Sequence, residues 1–202
     1  MECFVIFVMA WCWCNATESK PQNVMHHFKT THPIYMKRQI STLLILIGLA
    51  GCSNNQTTKT EREGEPTIYS VTDNDTEMND AIETANKTLD KFNVALTSSN
   101  PDFKYFALKT RFTNSNGGEH IWVSNITLKD NKYYGVVDNL PESTTDVKIG
   151  DTIQIVNDNI SDWMYIDNQK LRGGFTIRLL RKRMTEPERK QFDAENGLII
   201  ED

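Results

Sequence analysis

An apolar run of ten residues, Ile40–Leu49, divides this chain and limits which part of it can fold as a domain. Met36-Lys37-Arg38-Gln39 precedes the run with two positive charges, and Leu49-Ala50-Gly51-Cys52 closes it. A helix needs about 20 apolar residues to cross a bilayer, so this run is too short to span one. A short positive segment, an apolar core of this length and small residues before a cut are typical of a secretory signal peptide. We therefore expect the folded domain to follow Cys52.

The ending Leu-Ala-Gly-Cys resembles the bacterial lipobox, which implies that Cys52 is acylated and becomes the mature N-terminus. A buried helix that ends in cysteine fits less well, because the polar run Ser53–Lys59 follows at once. Residues 36–51 are thus predicted to be a lipoprotein signal peptide, and the membrane is the expected partner through the lipid on Cys52. Ser53 rather than Asp follows the cysteine, so in a Gram-negative cell we expect the outer membrane, facing the periplasm.

Residues 1–35 do not fit this scheme, because a signal peptide works at an N-terminus. Their apolar stretch Phe4–Trp13 is not preceded by positive charges, and the charge of Glu2 is negative where a signal peptide has a positive segment. Cys12 and Cys14 together with the His26-His27 pair could be metal ligands, but this spacing is weak for zinc. We interpret residues 1–35 as an over-extended gene start, with translation beginning at Met36.

The chain from Cys52 onward has 151 residues, one cysteine, and 18 Lys and Arg against 25 Asp and Glu. One cysteine excludes an internal disulfide and a Cys-based zinc site. The acidic balance argues against a nucleic-acid partner, which requires a basic surface. Residues 52–66 contain no aromatic or large aliphatic side chain, so they are predicted to be a flexible tether, because they cannot bury enough surface to order. Residues 67–202 are predicted to be the domain.

The pattern of this domain predicts an α+β fold. Seven apolar residues repeat with helical spacing: Met78, Ala81, Ile82, Ala85, Leu89, Phe92 and Leu96. Alternating segments and turns after residue 100 predict five or six mostly antiparallel strands that form a curved sheet under this helix. The last two segments, 162–166 and 175–181, are predicted to pair as a hairpin, with a bulge or close backbone approach at Gly173-Gly174. Thr185 and Glu188 have the spacing of a capping box that opens a short C-terminal helix.

Several segments together resemble the YegJ-like family of bacterial proteins of unknown function. They are MNDAIETANKTLDKF, FALKTRF, GGEHIWVSNITL, YYGVVDNLP, ISDWMYIDNQKLRGGFTIRLLR and EPERKQFDAENGL. The resemblance covers about residues 67–200. It implies a small α+β domain and no activity that can be transferred to this chain.

His120 is the only histidine after Cys52, so imidazole chemistry would have to use it, with Glu119 or Asp162 as a weak carboxylate partner. On a strand, Glu119 and His120 point to opposite faces, which favours a core-edge histidine bonded to a backbone carbonyl. The acidic residues do not match the spacing of a calcium loop, and no metal or cofactor is predicted. The aromatic side chains that could line a ligand pocket are Trp122, Trp163, Tyr165 and Phe175, although they could equally form the core.

These features favour a membrane-tethered, non-enzymatic binding domain of the cell envelope, with a protein or small molecule of unknown identity as its partner. Two alternatives stay open. One is a small envelope hydrolase that uses His120 with a carboxylate, and the other is a protective or inhibitor protein that masks a partner.

Overall fold

The computed structural model describes residues 2–5, 57–62, 65–114 and 117–201. The predictions for the signal peptide and for Cys52 lie outside these residues. The described residues form nine strands and four α-helices. In chain order these are β1 Glu2–Val5, β2 Thr58–Arg62, β3 Glu65–Val71, α1 Thr76–Lys87, α2 Leu89–Thr97, β4 Phe103–Asn114, β5 Gly117–Lys129, β6 Lys132–Val137, β7 Thr152–Ile155, β8 Ile160–Asp167, β9 Lys170–Gly173, α3 Phe175–Arg183 and α4 Glu186–Asn196.

The strands pair in the order β2-β3-β1-β5-β4-β8-β9, while β6 adds to β5, and β7 adds to β6. The six strands β4 to β9 pair antiparallel throughout. The predicted α+β fold with a mostly antiparallel sheet of about six strands is therefore confirmed. Among the described residues, none of the helices has the length and apolar content needed to cross a membrane.

Strand β2 lies inside the segment that we predicted to be a flexible tether. Its register with β3 runs from Thr58 opposite Ser70 to Arg62 opposite Glu65. The ammonium group of Lys59 also lies 2.9 Å from a carboxylate oxygen of Glu188 on α4. Local composition did not indicate this strand, because the segment contains no apolar alternation, and its contact with α4 lies far away in the sequence.

The apolar stripe from residue 78 to residue 96 is helical, as predicted, but it forms two helices that meet at Thr88. The side chain of Asp75 caps α1 by accepting a hydrogen bond from the backbone N–H of Met78. At the break, the indole N–H of Trp163 donates to the carbonyl of Ala85 and contacts the hydroxyl of Thr88. An indole inserted at this point competes for a helix carbonyl, which accounts for the break.

The predicted strand over residues 175–181 is wrong, because these residues begin α3. The hairpin partner of β8 is β9, with Asn168 and Gln169 in the turn. The carboxylate of Asp162 accepts hydrogen bonds from the backbone N–H groups of Phe175 and Thr176 and thereby satisfies the helix start. This cap comes from another strand, so the local alternation of apolar residues did not indicate it.

The predicted close approach at the glycine pair is confirmed at Gly173. Its φ is +69°, and a Cβ atom there would lie 2.1 Å from the carbonyl oxygen of Trp163. The capping box of Thr185 and Glu188 is also present, and α4 ends at Gly197 in the left-handed conformation. The predicted short C-terminal helix is therefore confirmed.

Neighbouring side chains of β8 point to opposite sides of the sheet and enter different apolar clusters. Trp163 packs with Ala85 and Phe92 of α1 and α2. Met164 packs with side chains of α3 and α4, including Leu180 and Phe192. Both faces of the central strands are thus covered, so polar side chains on these strands can be buried on either face.

Candidate functional site

The three ionisable residues that we considered for catalysis are all buried. Glu119, His120 and Asp162 are each at most 1% exposed. Each makes hydrogen bonds within the protein, and they do not line an open cleft together. The described part of the chain also contains no group of three or more His, Cys, Asp and Glu side chains that could hold a metal ion.

Glu119 holds a loop against β5. Its carboxylate accepts hydrogen bonds from the backbone N–H groups of Glu142, Ser143 and Thr144 at 2.6, 2.9 and 2.9 Å. The hydroxyl of Ser143 donates a further bond at 3.1 Å. A buried carboxylate needs such donors to offset its lost hydration, and here they order residues 142–144.

His120 lies on the other face of β5, where its Nδ1 atom is 2.7 Å from the Ser161 hydroxyl oxygen. The same hydroxyl lies 3.3 Å from the carbonyl oxygen of Lys109. A register shift between β4 and β8 at this point brings Ser161 under the imidazole. The histidine is buried, and its contact with the Ser161 hydroxyl joins β5 to β8.

Asp162 belongs to a buried polar group that the sequence did not indicate. Its carboxylate accepts hydrogen bonds from the backbone N–H and the hydroxyl of Thr176, at 2.8 and 2.7 Å. Lys109 is fully buried, with its ammonium group 3.3 Å from the Thr176 hydroxyl and 5.1 Å from the Trp122 ring centroid. Burial raises the pKa of Asp162, while the hydrogen bond from Thr176 and the charge of Lys109 act in the opposite direction. The group connects β4 and β8 to α3.

Three of the four proposed pocket aromatics lie together, and the fourth does not. Trp163 stacks on Tyr165 with ring centroids 6.1 Å apart, and it meets Phe175 edge-on at 5.6 Å. Trp122 lies in the cluster on the opposite face. The three grouped rings pack with Phe92 and Phe106, so they contribute to the core.

An open cavity of about 560 Å³ lies elsewhere, between the start of β4, the β8–β9 turn and the end of α4. It is lined by Asp102, Lys104, Tyr105, Ile166, Asn168, Gln169, Ala194, Glu195, Asn196, Gly197 and Leu198. None of the residues proposed from the sequence is among them. The lining combines charged and amide side chains with apolar ones, a combination typical of ligand sites.

Tyr105 distinguishes this cavity from a simple surface depression. Its φ is +56°, and its side chain is 44% exposed. The left-handed conformation costs an L-residue other than glycine about 1–2 kcal/mol. The strain arises at a bulge between Lys104 and Ala107 in the pairing of β4 with β8. Bulges often redirect a side chain next to a functional site, and no local sequence signal marks this one.

We expect Tyr105→Asn to raise the free energy of unfolding by about 0.5–1 kcal/mol, because asparagine tolerates the left-handed region better. The matched control is Tyr134→Asn on β6, where φ is not positive and the hydroxyl lies 3.3 Å from Gln154. The control should lower stability. Urea denaturation of the two variants measures both values. An equal loss of stability in both would show that Tyr105 is retained for packing.

Comparisons with known proteins agree with the resemblance seen in the sequence. Over 100 residues the chain is 37% identical to Uncharacterized protein YegJ of Escherichia coli K12, and the match covers 50% of this chain and 64% of that protein. Over 148 residues it is 35% identical to the Putative ankyrin repeat protein NMB1133/NMB1171 of Neisseria meningitidis serogroup B, and this match covers 69% of this chain and 58% of that protein.

The chain thus aligns with about six tenths of the length of each of these relatives. No solved structure matches it significantly. The family model that matches residues 75–200 is described as an uncharacterized protein conserved in bacteria, DUF2314. These residues include all four helices and the strands β4 to β9, and the chain belongs to the DUF2314 family of bacterial proteins.

Proposed function

We propose that the protein is a bacterial lipoprotein, anchored through Cys52, whose α+β domain binds a partner at the membrane surface. The observation that carries the binding role is the open cavity with the strained, half-exposed Tyr105 at its edge. A fold maintains such strain where the surrounding structure requires it, and strained residues cluster at ligand sites.

The burial of the ionisable groups supports binding over hydrolysis. A general base must reach the proton that it removes. The imidazole of His120 is buried against Ser161, and Asp162 caps a helix. The cavity residues instead offer Lys104, Asp102 and several amides, which can orient a polar ligand or a short peptide segment.

The structure also bears on how close an anchored domain would lie to the membrane. Thr57 already contacts the guanidinium group of Arg183 at 3.0 Å. The five-residue step from Cys52 to Thr57 spans at most about 18 Å when extended. An acylated Cys52 would therefore hold the domain within about that distance of the lipid surface.

The anchor is tested by comparing Cys52→Ser with wild type in a bacterial host fed a labelled fatty acid. We expect wild type to fractionate with membranes and carry the label, and Cys52→Ser to lose both. The matched control is Asn55→Ser, which introduces serine just after the lipobox, leaves Cys52 in place and should behave as wild type. Unlabelled wild type, or a Cys52→Ser protein that keeps the label, would contradict the proposal.

A further inference from the structure

The first strand of the chain occupies a position inside the sheet. β1 lies between β3 and β5 and pairs with both. It runs antiparallel to β3, from Glu2 opposite Val71 to Val5 opposite Ile68. It runs parallel to β5, with Phe4 opposite His120. A four-residue segment thus fills an interior position of the sheet.

Both translation from Met36 and cleavage before Cys52 would leave the mature domain without β1. The backbone groups of β3 and β5 that face β1 would then lose their partners. Residues on these two edges are buried, among them Tyr69, Val71 and His120. Unpaired backbone groups and newly exposed apolar side chains are both unfavourable. The processed domain therefore needs another way to cover this gap.

Contacts on the far side of β3 oppose simple closure of the gap. Two strand spacings separate β3 from β5, about 9.5 Å in all, so closure would move β3 by about 5 Å. The β2–β3 hairpin is held to α3 and α4 by two contacts, Lys59 with Glu188 at 2.9 Å and Thr57 with Arg183 at 3.0 Å. Tyr69 is also part of the apolar cluster that contains side chains of α3. Closure would disturb all of these contacts.

We propose that the mature protein binds an extended segment of a partner protein in this position, by addition of a strand between β3 and β5. The partner strand would run parallel to β5 and antiparallel to β3, as β1 does. It would be apolar on the face that it shares with Tyr69 and Val71, because these two side chains lie in the buried cluster that includes α3. Main-chain hydrogen bonds supply affinity in such complexes, and alternate side chains supply specificity. This inference rests on the proposed processing at Cys52.

The test uses mature protein purified from membranes and a synthetic peptide of residues 2–8, ECFVIFV. Its control is the same peptide with Phe4→Pro, because proline cannot pair in an interior strand. Hydrogen exchange is followed by mass spectrometry. We expect the wild-type peptide to slow exchange in residues 68–71 and 118–120 at least tenfold, and the proline peptide to leave it unchanged.

Three results would overturn the proposal, and they differ from one another. Equal protection by both peptides would indicate non-specific apolar binding. Slow exchange in residues 68–71 and 118–120 without peptide, in a chain that intact mass shows to begin at Cys52, would show that β3 pairs directly with β5. Protection without peptide in a chain that retains residues 2–5 would contradict both the open position and the proposed processing. Intact mass therefore separates failure of this inference from failure of the proposed function.

Discussion

Arg183→Met should lower the free energy of unfolding by about 3–5 kcal/mol, the usual cost of leaving a buried charge without its partner. The two terminal guanidinium nitrogens of Arg183 each lie 2.7 Å from a carboxylate oxygen of Asp75, whose side chain is fully buried. The guanidinium also binds Glu77 at 2.8 Å. Because Asp75 caps α1, the pair fastens the start of α1 to the end of α3.

The matched control is Lys182→Met, one residue earlier on the same helix. Its side chain is 75% exposed, and its ammonium group lies 3.8 Å from Glu77, so a change within about 0.5 kcal/mol is expected. Urea denaturation at neutral pH measures both variants. If Arg183→Met lowers the free energy of unfolding no more than Lys182→Met does, the buried pair does not stabilise the fold.

The loss of stability caused by Arg183→Met should also depend on pH. Hydrogen bonds from Arg183 hold the pKa of Asp75 below its ordinary value. A carboxyl group whose pKa is lower in the folded protein stabilises the fold at pH values above its pKa in the unfolded chain, which is about 3.9. This stabilisation is lost as the pH falls through the pKa of the folded state. The difference between wild type and Arg183→Met should therefore narrow below about pH 4. A difference that stays constant down to pH 2 would contradict this assignment.

Trp163→Ala should also cost about 3–5 kcal/mol, because it removes a large buried aromatic. The side chain is 4% exposed and packs against Phe92 and Phe175 at centroid distances of 5.9 and 5.6 Å. Its indole N–H donates to the carbonyl of Ala85 at 3.0 Å, at the junction of α1 and α2. Truncation would thus open a cavity and remove one of the hydrogen bonds that this carbonyl accepts, while the backbone N–H of Thr88 still donates to it.

Melting temperature is a sufficient readout for this variant, with Val94→Ala as a control at an exposed position of α2. Trp122→Ala should behave like Trp163→Ala, since Trp122 is equally buried on the opposite face. If either tryptophan variant melts at the wild-type temperature, that side chain contributes little to the core, and a recognition role becomes the better interpretation.

Local sequence signals were sufficient to predict the fold class and the positions at which several helices and strands begin or end. The apolar stripe of α1 and α2 and the capping box at Thr185 each lie within a few residues of the structure that they specify. The close approach at Gly173 was also visible, because a glycine pair interrupts a strand pattern. Such features depend on short-range geometry, which composition and spacing report directly.

The features that were missed depend on partners far away in the chain. α3 begins under the carboxylate of Asp162, which lies on β8, so an alternating pattern over residues 175–181 was mistaken for a strand. The burial of Lys109 likewise depends on α3, because Thr176 lies 3.3 Å from its ammonium group. The cavity beside Tyr105 depends on a β-bulge and on the end of α4, and no sequence feature near Tyr105 indicates either of them.

The measurement that tests the account most directly is the intact mass of the wild-type chain extracted from the membrane fraction. We expect a chain that begins at Cys52 and carries the added mass of a diacylglyceryl group, with or without a third acyl chain. Such a mass would show that Cys52 is lipidated and that the mature protein lacks residues 2–5. An unmodified chain that begins at Met1 and retains β1 would contradict it.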